Sequence, residues 1–159
     1  MKSFTDNNIE IAALLRDWEP RLQLLPEAVI GERRNSQNRT IRMVLGHLCD
    51  SASNNLHRII HLQYNESPVV FPDYANLGNN DRWIAIQSYQ DENWENIIQL
   101  WKYLNFHLIH VIEHVNEEKL TAVWISALKQ EITLETMILD YPRHLRLHLD
   151  EIEELIMNP

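Results

Sequence analysis

Apolar positions recur at helical intervals along most of the chain. Ile9, Ala12, Ala13, Leu15, Trp18, Leu22 and Leu25 form a first stripe, interrupted by Pro20, which predicts a kinked helix from about Asn8 to Leu24. Thr40 stands in N-cap position ahead of a second stripe made of Ile41, Val44, Leu45, Leu48, Ala52, Leu56, Ile59 and Ile60. The pattern then lapses. Asn65 to Arg82 carries Pro68, Pro72, Gly78 and the run Asn79-Asn80-Asp81, which predicts a long loop without helix, of the kind that covers sites. A third helix opens between Trp83 and Asp91 and continues through Trp94, Ile97, Ile98, Trp101, Leu104, Leu108, Val111 and Ile112 to about Val115. Asn116 to Glu131, with Trp124 inside it, predicts a short strand pair or an irregular turn. The fourth helix spans about Leu134 to Met157 and is bent by Pro142. Four helices with two long connections predict an all-α four-helix bundle, a single domain over residues 1–159.

Composition supports this and narrows the partners. Three glycines and six prolines leave little turn material for a many-stranded β fold, and 45% hydrophobic residues suffice for a core. A formal net charge of −9 excludes a general basic surface for nucleic acid. The local basic run Glu32 to Arg39, with Arg33, Arg34 and Arg39, reads as a polar connection between helices. Cys49 has no second cysteine to pair with, Met1 to Asp6 is too polar for a signal peptide, and no apolar run approaches the roughly 20 residues that span a bilayer. The expectation is a cytoplasmic protein that contacts neither membrane nor nucleic acid.

Among eight histidines, spacing selects the candidates. His144 and His148 lie at i and i+4, about 40° apart around a helix and about 6 Å along it, so both imidazoles can face one ion. Two half-exposed histidines with local hydrogen bonds fit the same spacing. His47 sits on the apolar face of the second helix, as a third ligand or as a satisfied core residue. Asp50 and Asn54 follow it one and two turns on, and Asp50 is the candidate general base. Asp140, four residues before His144, is either an acceptor behind an imidazole N–H or a solvated charge. Rival groups are the pair His57 and His61 and the set His107, His110 and His114. Cys49 points about 200° away from His47 and reads as packing. The chain contains no Gly-rich phosphate loop, Ser-His-Asp arrangement or His-Glu-x-x-His motif.

The segment Leu45-Gly46-His47-Leu48-Cys49-Asp50-Ser51-Ala52, followed by Asp140-Tyr141-Pro142-Arg143-His144-Leu145-Arg146-Leu147-His148, resembles the DinB-like superfamily, which includes the YfiT-like proteins. Tyr74, Trp83, Tyr89, Trp94, Leu100, Trp101 and Asn105 are similar to its aromatic-rich loop and third helix, so the resemblance covers about Arg39 to Ile152. It implies an up-down-down-up four-helix bundle, a divalent metal held by His47, His144 and His148, and pairing as a homodimer through helix faces. Two departures stand out. Gln37-Asn38-Arg39-Thr40 replaces a Pro-Gly-Lys-Trp-Ser-like segment, which removes an aromatic wall at the site, and Pro142 lies inside the histidine motif.

Three imidazoles with open positions suit a catalytic rather than a closed structural metal, with Zn or Ni first and Fe or Mn as further ions. Such an ion serves hydrolysis through water or the transfer of a small thiol, and the superfamily includes both kinds of relative. The expected substrate is a small molecule in a pocket of Asn54, Phe71, Tyr74 and Trp83, roofed by the Asn65 to Arg82 loop. The competing class is a non-enzymatic helical dimerisation or binding module with structural or adventitious metal, for which Trp94 and Trp101 would form a face unless they are core.

Overall fold

The computed structural model describes residues 4–158; Met1 to Ser3 of the polar start and Pro159 lie outside the described residues. Four long helices, α1 (Thr5–Gln23), α3 (Ile41–Tyr64), α5 (Trp94–Glu113) and α6 (Leu134–Met157), carry the apolar stripes, and two short ones, α2 (Glu27–Glu32) and α4 (Asn79–Ile86), sit in the connections. Local chemistry starts three of the long helices. The side chains of Thr40, Asn93 and Thr133 accept from the backbone N–H three residues on, which satisfies a donor the first turn would leave open. α3 packs on α5 and α6, and α1 packs on the same two helices.

The stripes meet in one core, with Ile11, Leu15, Leu22, Leu45, Leu48 and Trp101 among its sealed members. Trp101 is fully buried, and Trp94 donates its indole N–H to the Leu22 carbonyl at 2.8 Å, so this tryptophan row belongs to the interior. α6 runs unbroken through the buried Pro142, whose missing N–H leaves the Ile138 carbonyl without its helical partner.

The second connection is more structured than its composition suggests. The Asn65 to Arg82 stretch contains strand β1 (Val69–Val70) and the start of α4, and a 3-10 turn at Tyr89–Asp91 separates α4 from α5. Gly78, at φ +80°, turns the chain into α4, and the Asp73 carboxylate accepts from Asn76 and Asn79 to tie the loop together. β1 pairs in parallel with β2 (Val123–Ile125), and β2 pairs antiparallel with β3 (Glu131–Thr133). The expected strand pair is therefore present, with a third strand from the preceding connection.

The basic run is used within the chain. Arg33 donates to the carbonyls of Leu155 and Ile156 at 3.0 and 2.8 Å, closing the end of α6. Arg34 donates to the Asn38 carbonyl at 2.8 Å, and Arg39 pairs with Asp81 at 2.9 Å. Among the described residues, no helix is long and apolar enough to cross a membrane.

Candidate metal centre

The helix period places His144 and His148 on one side of α6, and the packing of α6 on α3 brings His47 to them from the other helix. One ligating atom from each of the three lies within 4.8 Å of the others. His144 Nε2 and His148 Nε2 are 3.2 Å apart, and the His47 ring centroid lies 4.6 Å from that of His148 and 5.9 Å from that of His144.

The opposite nitrogens of the α6 pair are held by protein. Glu151 Oε2 lies 3.0 Å from His148 Nδ1, and a carboxylate there accepts a hydrogen bond from Nδ1–H, the tautomer that leaves the Nε2 lone pair for the cluster. Ser51 Oγ lies 3.2 Å from His144 Nδ1. Burial lowers the His47 pKa to about 3, assisted by the nearby charge of His148, His144 and Arg39. Burial likewise lowers His144 to about 4, with His148 and Arg143 adding to it. Both rings are neutral near pH 7, the form that binds a metal. His47 Nδ1 is buried without a hydrogen-bond partner. A buried polar atom without a partner, on a ring grouped with two further imidazoles, fits a cation-binding cluster better than an apolar interior.

Asp140 does not take the role its spacing suggested. It accepts two bonds from Arg143, at 2.6 and 2.9 Å, on an exposed stretch of α6, and the guanidinium holds its carboxyl below the usual range. Ser51 and Glu151 stand behind the imidazoles instead. Asp50 also has other partners: it accepts from Tyr89 Oη and Gln87 Nε2, each at 2.7 Å, while burial pushes its carboxyl up. Gly46 makes this contact possible, because a Cβ there would fall 2.3 Å from the Tyr89 ring. Cys49, on α3, is buried in the core, with its Sγ 3.7 Å from the Ile97 carbonyl of α5.

Of the four pocket residues named from the sequence, three line one cleft, and Tyr74 lies between Trp83 of that cleft and His47 of the cluster. Tyr74 is buried, with its ring 6.1 Å from the His47 ring and 6.0 Å from the Trp83 ring. Asn54, Phe71 and Trp83 line a cleft of about 360 Å³ with His57 and Arg58. A larger groove of about 510 Å³ runs past Phe4 and Ile112, and no histidine lines it.

The rival histidines differ. His57 and His61 also face each other at 3.2 Å, but His61 Nδ1 is met by Tyr64 and Asn65, and no third ligand joins the pair among the described residues. His110 and His114 group with Glu113, all three exposed at the end of α5 with His114 as its C-cap, and His107 stacks on His110 at 6.2 Å between ring centroids without joining the ligand group.

No family model matches the chain, and no curated protein matches it in sequence. Solved structures do. YfiT from Bacillus subtilis, described as a probable metal-dependent hydrolase with an unusual four-helix bundle topology, superposes with a TM-score of 0.78 at 19% identity, covering 98% of this chain and 88% of that one. The mycothiol-dependent maleylpyruvate isomerase superposes at 0.73 with 14% identity, covering 96% of this chain but only 63% of that one. A histidine-to-alanine mutant of the same isomerase gives 0.74. At these identities the likeness is one of fold alone: this chain is a four-helix bundle with the architecture of YfiT.

Proposed function

We propose that the protein binds one divalent transition metal through His47, His144 and His148 and uses it to hydrolyse a small molecule. The observation that carries this is the convergence, from two helices, of three imidazoles, two of them kept neutral by burial. His47, His144 and His148 would hold the ion, which when bound would supply Lewis acidity for polarising a carbonyl or acidifying water or a thiol. The chain's own residues do the rest. Glu151 fixes the tautomer of His148, Ser51 holds the His144 ring, and Tyr74 with Trp83 screens the cluster from bulk water on the cleft side. Asp50, engaged by Tyr89 and Gln87, enters as an anchor for packing behind α3 rather than as the base its spacing suggested.

Hydrolysis is placed first because YfiT, whose length this chain nearly spans, is described as a probable metal-dependent hydrolase; this is support by fold analogy. Thiol transfer is the second reading, favoured by the likeness to a mycothiol-dependent isomerase. The test is elemental analysis of tag-free protein, followed by assay of the metal-loaded and metal-free forms on activated esters and amides and on thiol addition. Stoichiometric metal with ester or amide turnover that disappears in His144→Ala/His148→Ala supports hydrolysis, and turnover confined to thiols supports the second reading. Absence of metal after incubation with Zn or Ni would leave the non-enzymatic module.

A further inference from the structure

Three arginines of this protein are buried, and they are not treated alike. Arg39, 4% exposed, pairs with Asp81, and Arg42, 8% exposed, donates from Nη2 to both carboxylate oxygens of Glu27, at 2.9 and 2.7 Å. Arg58, 7% exposed, makes no hydrogen bond and no ion pair among the described residues. Its guanidinium carbon lies 4.1 Å from the Trp124 ring, 5.1 Å from Tyr74 and 6.0 Å from Phe71. Stacking of this kind stabilises the cation through the ring faces but leaves the in-plane N–H donors unused. Asp73 acts on it only at a distance, since its oxygens accept from Asn76 and Asn79. The guanidinium nitrogens are not among the buried polar atoms sealed off without partners, and Arg58 lines the cleft that holds Asn54, Phe71 and Trp83. A permanent charge taken this far from water without an acceptor is costly, and an acceptor arriving through the cleft removes that cost.

We propose that Arg58 is a substrate-anchoring residue: its guanidinium binds a carboxylate on a small molecule lying in the aromatic cleft next to the histidine cluster. The substrate class is thereby a carboxylic acid with an apolar body, and this deepens the proposed function and rests on it. The donors of a guanidinium form a planar fork that matches a carboxylate. Arg58 is the one permanent cation lining the cleft, which balances a single negative charge, and Phe71 and Trp83 supply flat apolar walls. Tyr74 touches both regions, with its ring 6.1 Å from that of His47 and 5.1 Å from the Arg58 guanidinium carbon. A molecule held by its carboxylate at Arg58 therefore extends toward the cluster past Tyr74.

The test uses benzoate and its neutral analogue benzamide, titrated into the metal-free full chain while the indole N–H resonances of Trp83 and Trp124 are followed by NMR. Benzoate is expected to shift both resonances saturably, with benzamide at least about tenfold weaker. Arg58→Gln should weaken benzoate at least about tenfold and leave benzamide unchanged, with Arg58→Lys between the two. The benzoate and benzamide comparison on the unaltered chain needs no variant to fold. Equal binding of the two compounds, no saturable shift with benzoate, or undiminished benzoate binding in Arg58→Gln would overturn the proposal. His144→Ala/His148→Ala separates this site from the metal site. Retained benzoate preference in that variant supports an anion site of its own, whereas loss of preference there with retention in Arg58→Gln would move the anion to the histidines and overturn it.

Discussion

His144 and His148 on α6 and His57 and His61 on α3 are the same motif in two settings. Each pair is separated by four residues, and in each the two Nε2 atoms lie 3.2 Å apart. The α6 pair faces a neighbouring helix that contributes His47, and its outer nitrogens are engaged by Ser51 and Glu151. The α3 pair sits near the helix end, where Tyr64 and Asn65 meet His61 and no further ligand converges. Helical spacing thus produces the pair, and desolvation with a ligand from a second element produces the site. The exposed group His110, Glu113 and His114 supports the same lesson, since three ligands from one helix remain open to water.

The strongest way to break this comparison is to delete each pair in turn. His144→Ala/His148→Ala should lose all stoichiometric metal, while His57→Ala/His61→Ala retains it, as read by elemental analysis of tag-free protein. Equal loss in both would erase the distinction. Next in size is the acid response of the metal-free protein. In the unfolded chain His47 and His144 take up protons near pH 6.5, but in the fold only near 3 and 4. Between those limits the unfolded state binds more protons, so stability is full above about pH 6.5 and falls as the pH drops. Each should cost on the order of 2 kcal/mol at pH 5, measured by urea unfolding, and His47→Gln should remove its share. Smaller effects should follow loss of the groups behind the imidazoles. Glu151→Gln and Ser51→Ala are each expected to weaken metal about 10- to 100-fold in competition with a chelator, without abolishing it. Asp140→Asn should change metal affinity least, by less than about twofold, because its exposed pairing with Arg143 contributes little and leaves the histidines untouched.

Much of the bundle is legible along the chain because its determinants are local. The apolar stripes, the Thr40 cap and the four-residue histidine spacing are each set within two or three turns. α2 and α4 escape that pattern for a physical reason: they have six and eight residues, and each buries a single side chain, Ile30 and Ile84, too little to show a period. The support around the cluster was only partly legible. Glu151 lies three residues from His148 and Ser51 four from His47, so both positions follow from helical geometry once the packing of α3 on α6 is known. Asp140 had equally good spacing, and Arg143 captured it. Arg58 gives only a faint sign, a charge next to the apolar Ile59 and Leu62, since its distinction is the lack of a partner that only folding reveals.

The commitment of Arg33, Arg34 and Arg39 to partners within the chain has a consequence for how other charges approach. With these cations committed to helix-end carbonyls, a turn and Asp81, the exterior keeps the balance of a chain whose formal net charge is −9. The resulting potential acts over the Debye length, about 8 Å at physiological ionic strength, and scales with the valence of the visitor. A small monoanion bound for a guanidinium meets weak repulsion that ordinary salt screens, whereas a polyanion is repelled along its whole length. The surface sorts anions by valence before any contact is made, and lowering the ionic strength should sharpen that sorting by slowing multivalent anions far more than singly charged ones.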